Sequence, residues 1–481
     1  MIMKTLPKQK PMYIGGQWVK REKTIDVYDP QDKNLIATVP AATKEDMLYT
    51  IEEAKEGFKI AASMPTYDRI KVLNDAASWI EKNLEEYATT IAREGSKTIK
   101  EARKEVTRCI HTLRISAEEA RRINGETISF DQAQGSENRI GYYYRFPIGI
   151  IGAITPFNDP LNLVAHKVGP AIASGNAIIV KPAPVTPLSA LLLAEAFEQA
   201  GLPPKVLSVI TGDAGEIGDA MVTHPDIRMI SFTGGLATGK AIMKKAGLKK
   251  ISMELGSNSP VIILDDADLD EAVESTVSGA FWAAGQNCVG VQRIYVQEKN
   301  YDEFIDKFVS RTKRYRVGDK LSEDTDMGPL ISENEAKRVE EWVQEAVYKG
   351  AKLWCGGTRK GAYYYPTVLT DVPADSRLAR EEVFGPVAII YRVADLDTAI
   401  NQSNQVDFGL HAGIFTRDLN KAFHAISSLD VGGVMVNDSS DYRIDAMPFG
   451  GVKGSGIGRE GVKFAIQEMT EPKVVCLKLP R

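Results

Sequence analysis

The sequence predicts an α/β fold built on two open parallel sheets with a small additional β arm. Three observations carry that expectation. From Ile148 onward, short apolar runs alternate with helical segments; a second such stretch occupies roughly 260–440; and two extended segments, 126–147 and the C-terminal VVCLKL, stand apart from both.

The first 125 residues are mostly helical in pattern. Residues 44–63 and 68–87 set Ala, Ile, Leu and Met between charges at helical spacing, and a longer amphipathic stretch runs to about residue 123. Ahead of the helices, Tyr13–Trp18 and Asn34–Val39 read as short strands. In 126–147, β-formers flank a polar turn, the pattern of an extended arm or hairpin.

IGIIGAI (148–154) and AIIV (177–180) have the composition of fully buried parallel strands. Thr186 as N-cap, Pro187 in the first turn and Gly201 beyond the end frame a helix over LSALLLAEAFEQA. Strands follow at VLSVI, RMISF, KISMEL and PVIIL, then at RIYVQ, with helices at 301–314 and 334–348. Right-handed crossovers turn such an alternation into an open parallel sheet, which binds ligands at the carboxyl ends of its strands. VVCLKL is placed to pair with the 126–147 arm, and no repeat or low-complexity linker separates the parts.

Composition narrows the function. Among 481 residues, 59 basic and 64 acidic side chains leave a net charge of −5, which disfavours a nucleic-acid or anionic-membrane binder. Cys109, Cys288, Cys355 and Cys476 are too few for a disulfide scaffold, and no CxxC pair suggests a metal. MIMKTLPKQKPMYIGG lacks a signal-peptide core, and no run approaches the ~18 apolar residues of a membrane span. The expectation is a cytoplasmic globular protein without metal.

Several residues fall where such a fold does chemistry. Asn158, in ITPFNDP, and Lys181, in VKP, each follow a buried strand. Gly234, Gly235 and Gly239, in FTGGLATG, follow another strand and precede a helix, a layout suited to a phosphate. Glu254 closes ISMEL, where a carboxylate is tolerable at an open sheet edge. Cys288 lies in FWAAGQNCVGVQR among small and polar neighbours, whereas the other three cysteines read as structural. Gly456-Ile-Gly458-Arg-Glu-Gly461 fits GxGxxG literally. It lacks the preceding strand and the acidic residue further on, so it reads as a tightly turning loop.

Together with EEVFGPV and MPFGGVKGSGIGREG, these stretches make the chain resemble the NAD(P)-dependent aldehyde dehydrogenase superfamily over nearly its whole length. The branches it most resembles oxidise lactaldehyde, succinate semialdehyde and related short aldehydes. The resemblance implies a Rossmann-like cofactor domain from 1–125 and 148–254, a catalytic domain over 255–455, and an oligomerisation arm from 126–147 and 465–481. It implies a homodimer or homotetramer acting on a small-molecule aldehyde.

Residue by residue, the resemblance makes Cys288 the nucleophile, Asn158 an oxyanion donor and Glu254 the base that hydrolyses the thioester. It assigns Lys181 and Glu382 to the two cofactor riboses, Phe384 to packing beside the nicotinamide, and Gly234, Gly235 and Gly239 to the pyrophosphate loop. Thr155, Pro156, Phe157, Pro184, Gly212 and Leu255 complete the cofactor surface.

Phe157 stands where Trp is usual, and Gly235 replaces a frequent Ser. Pro184 replaces a carboxylate that repels a 2′-phosphate, leaving NAD and NADP both open with NAD slightly favoured. Asp159 occupies a usually apolar place, where it would accept from a substrate hydroxyl and repel an anion. Arg108, Arg114 and Arg443 pull the other way, as candidate anion binders or else as surface charges or partners of Asp159. The expected reaction is oxidation of a short polar aldehyde to its acid. The alternatives are a coenzyme-A-acylating enzyme, a dehydrogenase for a carboxylate-, sulfonate- or phosphonate-bearing aldehyde, and a non-catalytic relative.

Overall fold

The computed structural model describes residues 9–480; the first eight residues and Arg481 lie outside it. Its largest sheet has eight strands. Five run parallel in the order Leu207–Val209, Ala177–Lys181, Ile150–Ile154, Ile227–Thr233, Lys250–Glu254. By chain position that order is third, second, first, fourth, fifth. The topological switch therefore lies between Ile150–Ile154 and Ile227–Thr233, where an open sheet of this kind leaves its ligand crevice. Short antiparallel strands extend both edges: Met12–Ile14 beside Leu207–Val209, and Gly456–Ile457 beside Lys250–Glu254.

The second sheet has seven strands, with Ser259–Ile263 and Val291–Gln297 at its centre. PVIIL thus opens the second sheet rather than extending the first. Only Leu255–Asn258 separates the two sheets along the chain, so Glu254 stands where they meet. A third sheet pairs Arg139–Pro147 with Thr470–Lys478 on one side and Glu126–Ile128 on the other, joining the two extended segments as expected. The arm strand begins only at Thr470, because Ile466 and Met469 belong to the core of the first sheet.

Two local expectations are corrected. Tyr13–Trp18 is a hairpin, not one strand: Gly15 and Gly16 both have positive φ (60° and 89°) and turn Met12–Ile14 back onto Gln17–Val19. The helix Leu188–Gln199 is not capped by Thr186, whose hydroxyl is buried without a partner. The buried Glu94 carboxylate does this instead, accepting the Leu188 and Ser189 N–H groups at 2.7 and 2.8 Å. No helix among the described residues is long and apolar enough to cross a membrane.

Candidate active site

Cys288 sits on a loop whose backbone is forced. After the helix Leu269–Phe281 and its C-cap Trp282 come three successive left-handed residues, Ala283 (φ 51°), Ala284 (φ 55°) and Gly285 (φ 71°). Non-glycine residues in that region cost about 1–3 kcal/mol each unless their surroundings over-determine them. Here the surroundings do. Glu101 Oε1 accepts the Ala283 N–H at 2.8 Å, the Gln286 amide donates to Ala283 O at 3.1 Å, and a Cβ on Gly285 would lie 2.2 Å from Gly385 O. Burial pushes the Cys288 thiol up to about 12; Arg443 opposes the rise, while Glu382, Glu254 and Glu460 add to it.

Glu254 ends its strand with the residue only 3% exposed, and neither carboxylate oxygen has a hydrogen-bond partner. Desolvation raises its carboxyl well above the usual range, and the negative charge of Glu460 adds to this. Gly450 packs against it, since a Cβ there would come within 3.0 Å of Glu254 Oε1. Glu460 is equally buried but bonded: Lys167 Nζ donates at 2.9 Å and Arg443 Nη2 lies at 3.3 Å. Lys167 also donates to Ser231 and Thr233 hydroxyls at 3.1 and 2.8 Å. Sequence reasoning missed Lys167 and Glu460. The signal for Glu460 lay in the discarded GxGxxG run, which is indeed a tight turn but one that pairs Gly456 with Glu254 across the sheet edge.

Asn158 follows the strand at the switch point, with its amide free of protein partners among the described residues. Its neighbour Asp159 does not stand open to a ligand as the sequence suggested. Lys97, itself buried, bonds both Asp159 and Glu105, and its ammonium lies 4.6 Å over the Trp282 ring. Glu105 in turn accepts the Leu161 and Asn162 N–H groups at 2.8 and 3.1 Å. This clamp fixes the loop that carries Asn158.

The three arginines part company. Arg108 pairs with Asp445 at 2.8 Å and lies 3.9 Å from Asp159, so its reading as a partner of Asp159 holds in part. Arg114 pairs with Glu81 at 2.6 Å on the protein surface and takes no part in this cluster, a correction to its candidacy. Arg443 points inward, its side chain 8% exposed, its guanidinium 3.6 Å over the Phe449 ring. Asp445, with Asn162 at 3.2 Å and His166 at 2.9 Å, completes a polar cluster that sequence reasoning did not foresee.

Beside this lies a surface shaped for a dinucleotide. Lys181 is buried, its ammonium pulled down to about 8 by desolvation, with Gly218 against its aliphatic stem. Thr155 Oγ1 is buried without a partner, and a Cβ on Gly235 would meet open space. Gly239 instead lets its helix close on Leu255, where a Cβ would come to 2.7 Å, and Gly212 does the same against Ile217. Glu382 folds over Gly256 and accepts the Ser257 N–H at 2.9 Å, burial raising its carboxyl to about 7. Phe384 (φ 44°) meets Phe157 edge to face at 5.8 Å. Pro156 and Pro184 are half-buried on the same strand-end loops. An orphaned hydroxyl, an open glycine and a buried, underbonded lysine at one sheet edge fit a phosphate-bearing cofactor.

The fold and the candidate site are those of an NAD(P)-linked oxidoreductase. Residues 18–475 match the aldehyde dehydrogenase family, and the chain belongs to it. It is 49% identical to aspartate-semialdehyde dehydrogenase 1 of Pseudomonas canavaninivorans, covering 95% of this chain and 97% of that protein. It is 46% identical to 3-sulfolactaldehyde dehydrogenase of Priestia aryabhattai, covering 99% of each. Among solved structures, glyceraldehyde-3-phosphate dehydrogenase of Methanocaldococcus jannaschii, complexed with NADP, superposes with a TM-score of 0.92 at 42% identity, covering 96% of this chain and all of that one.

Proposed function

We propose that this enzyme oxidises a short polar aldehyde to its carboxylic acid by hydrolysis of a thioester on Cys288. The observation that carries this reading is a strained, fixed cysteine loop in the same chain as a buried, unbonded carboxyl, Glu254, that ends the strand where the two sheets meet. Cys288 Sγ, its proton given up to solvent, forms a bond to the aldehyde carbon as the C=O π pair moves onto the oxygen. The Asn158 amide and the Cys288 N–H donate to the resulting oxyanion, and a donor so placed is worth about 2.7–4 kcal/mol. Bound NAD or NADP supplies the two-electron acceptor; Thr155, Pro156, Phe157, Lys181, Pro184, Gly212, Gly234, Gly235, Gly239, Leu255, Glu382 and Phe384 would hold it.

Glu254 then takes a proton from water as the water oxygen bonds the thioester carbon, the C–S bond breaks and Cys288 leaves as thiolate. A carboxyl raised by burial toward the working pH suits a general base. Transfer of the acyl group to a thiol such as coenzyme A has no need of such a base. A second reading gives the aldehyde an anionic tail. Arg108 supports it, being only 2.8 Å from one carboxylate and keeping donors to spare.

The first sheet with its helices would be the cofactor domain (1–125, 148–254) and the second the catalytic domain (255–455). The arm exposes Ile140, Tyr144, Val474 and Leu477, each at least 46% accessible, which favours a homodimer or dimer of dimers. Four free cysteines suit a reducing compartment, and we place the enzyme in the cytoplasm.

Absorbance at 340 nm across neutral and anionic short aldehydes, each with NAD and NADP, tests the reading. Turnover with both cofactors, lost in Cys288→Ala, is expected. No reduction with any aldehyde would refute it. Pro184→Glu should shift preference toward NAD.

A further inference from the structure

The two oxyanion donors of the reading above come from different sheets. Asn158 follows Ile150–Ile154 in the first, and Cys288 precedes Val291–Gln297 in the second. Neither sheet alone fixes the gap between them. That gap depends on the side chains that hold both loops at once.

One helix end holds both. The helix Ile99–Ala120 is capped by Thr98, and Glu101 and Glu105, four residues apart, share one of its faces. Glu101 Oε1 accepts the Ala283 N–H of the cysteine loop at 2.8 Å, while its Oε2 accepts the Thr98 N–H at 2.8 Å. Glu105 Oε1 accepts the Leu161 and Asn162 N–H groups, just beyond Asn158, at 2.8 and 3.1 Å. Lys97, one residue before the cap and 2% exposed, joins the two sides. Its ammonium donates to Glu105 Oε2 at 2.7 Å and to Asp159, the neighbour of Asn158. The same ammonium lies 4.6 Å over the ring of Trp282, the neighbour of Ala283. A second strap comes from the catalytic half of the chain. Lys320 donates to Arg93 O and Gly95 O at 3.0 and 2.8 Å and accepts the Ile99 N–H at 2.8 Å.

We propose that Lys97 is a positioning residue for formation of the thioester. By tying the Asn158 loop and the cysteine loop to one helix end, it sets the gap between the two oxyanion donors. Its effect on the reaction passes through the placement of Asn158. This rests on the aldehyde-oxidising reading above, in which Asn158 donates to the oxyanion. A misplacement of about 1 Å corresponds to about 100-fold in rate, so a loosened clamp is visible in the chemical step.

The test is a double-mutant cycle read in single turnovers. Enzyme is held in excess over an aldehyde that the wild type oxidises, with NAD or NADP saturating. Absorbance at 340 nm then follows cofactor reduction, which precedes thioester hydrolysis. Asn158→Ala should slow this step by about 10²–10³-fold, the worth of one oxyanion donor. Lys97→Met should slow it by about 10–100-fold, with cofactor affinity by calorimetry unchanged within about twofold. In the Asn158→Ala background, Lys97→Met should add no more than about threefold, because the donor it would misplace is gone. Loss of folded protein acts alike in both backgrounds and cannot produce that difference. Should Lys97→Met not fold, Asp159→Ala, which keeps the Lys97–Glu105 pair, makes the same comparison. Equal slowing in both backgrounds, or none in either, overturns this proposal alone. An Asn158→Ala enzyme that keeps the wild-type rate removes the donor and the proposal with it. A wild type that reduces no cofactor with any aldehyde overturns the reading beneath both.

Discussion

Glu254 and Glu460 are both buried, and their carboxyls are pushed in opposite directions from the usual carboxylate range. Lys167 and Arg443 hold Glu460 ionised, well below the usual carboxylate range. Glu254, with no hydrogen bond to either oxygen, is pushed the other way by desolvation and by Glu460 itself. Two buried carboxyls that repel each other do not ionise together at little cost, so the bonded one keeps its charge and the unbonded one is raised.

Glu460→Gln removes the negative charge that raises Glu254 and leaves Lys167 and Arg443 to lower it. If ionised Glu254 is the base, thioester hydrolysis rises with pH through its pKa. The variant's limb should therefore lie at lower pH than the wild type's. The variant should also lose about 3–5 kcal/mol of stability, because two buried cations lose their partner. Rate–pH profiles and denaturant melts read both effects; an unmoved limb would disconnect the two carboxyls.

Lys181 gives a pH dependence of opposite sign. Its ammonium, lowered by burial to about 8, is mostly charged at pH 7 and largely neutral at pH 9.5 in the free enzyme. If the charged form holds the cofactor ribose or a 2′-phosphate, affinity stays level below about 8. Above it, affinity falls by up to about tenfold per pH unit, until the bound lysine also deprotonates. Calorimetric titration with NADP at the two pH values checks this. Lys181→Met should bind weakly with no such slope, and equal wild-type affinities would contradict the assignment.

Arg114→Ala tests the correction made above. An exposed arginine paired with Glu81 contributes about 0–1 kcal/mol, so stability and KM for every aldehyde should stay within about twofold of wild type. A selective rise in KM for anionic aldehydes would return Arg114 to the substrate site.

Local chemistry was legible in the sequence where the fold makes position meaningful. Apolar runs ending in Asn158, Lys181 and Glu254 reveal buried parallel strands and hence the residues at their carboxyl ends. Partnerships formed over long separations were not legible. Arg108 meets Asp445 across 337 residues and Lys167 meets Glu460 across 293. The helix at Leu188 is capped by Glu94, 94 residues back, because the cap came from packing and not from the adjacent threonine. The hairpin at Gly15–Gly16 is legible in the glycine pair itself, since both residues take positive φ.

The central claim is that Glu254 acts only after the cysteine thioester has formed, and single-turnover kinetics of Glu254→Gln measure this directly. On mixing with saturating aldehyde and NAD or NADP, the variant should release up to one reduced cofactor per site in a burst. Turnover should then drop about 10²–10⁴-fold, the usual worth of a positioned base, and coenzyme A should not restore it. Near-normal steady turnover by Glu254→Gln, or a wild type that stalls until coenzyme A is added, would contradict the account.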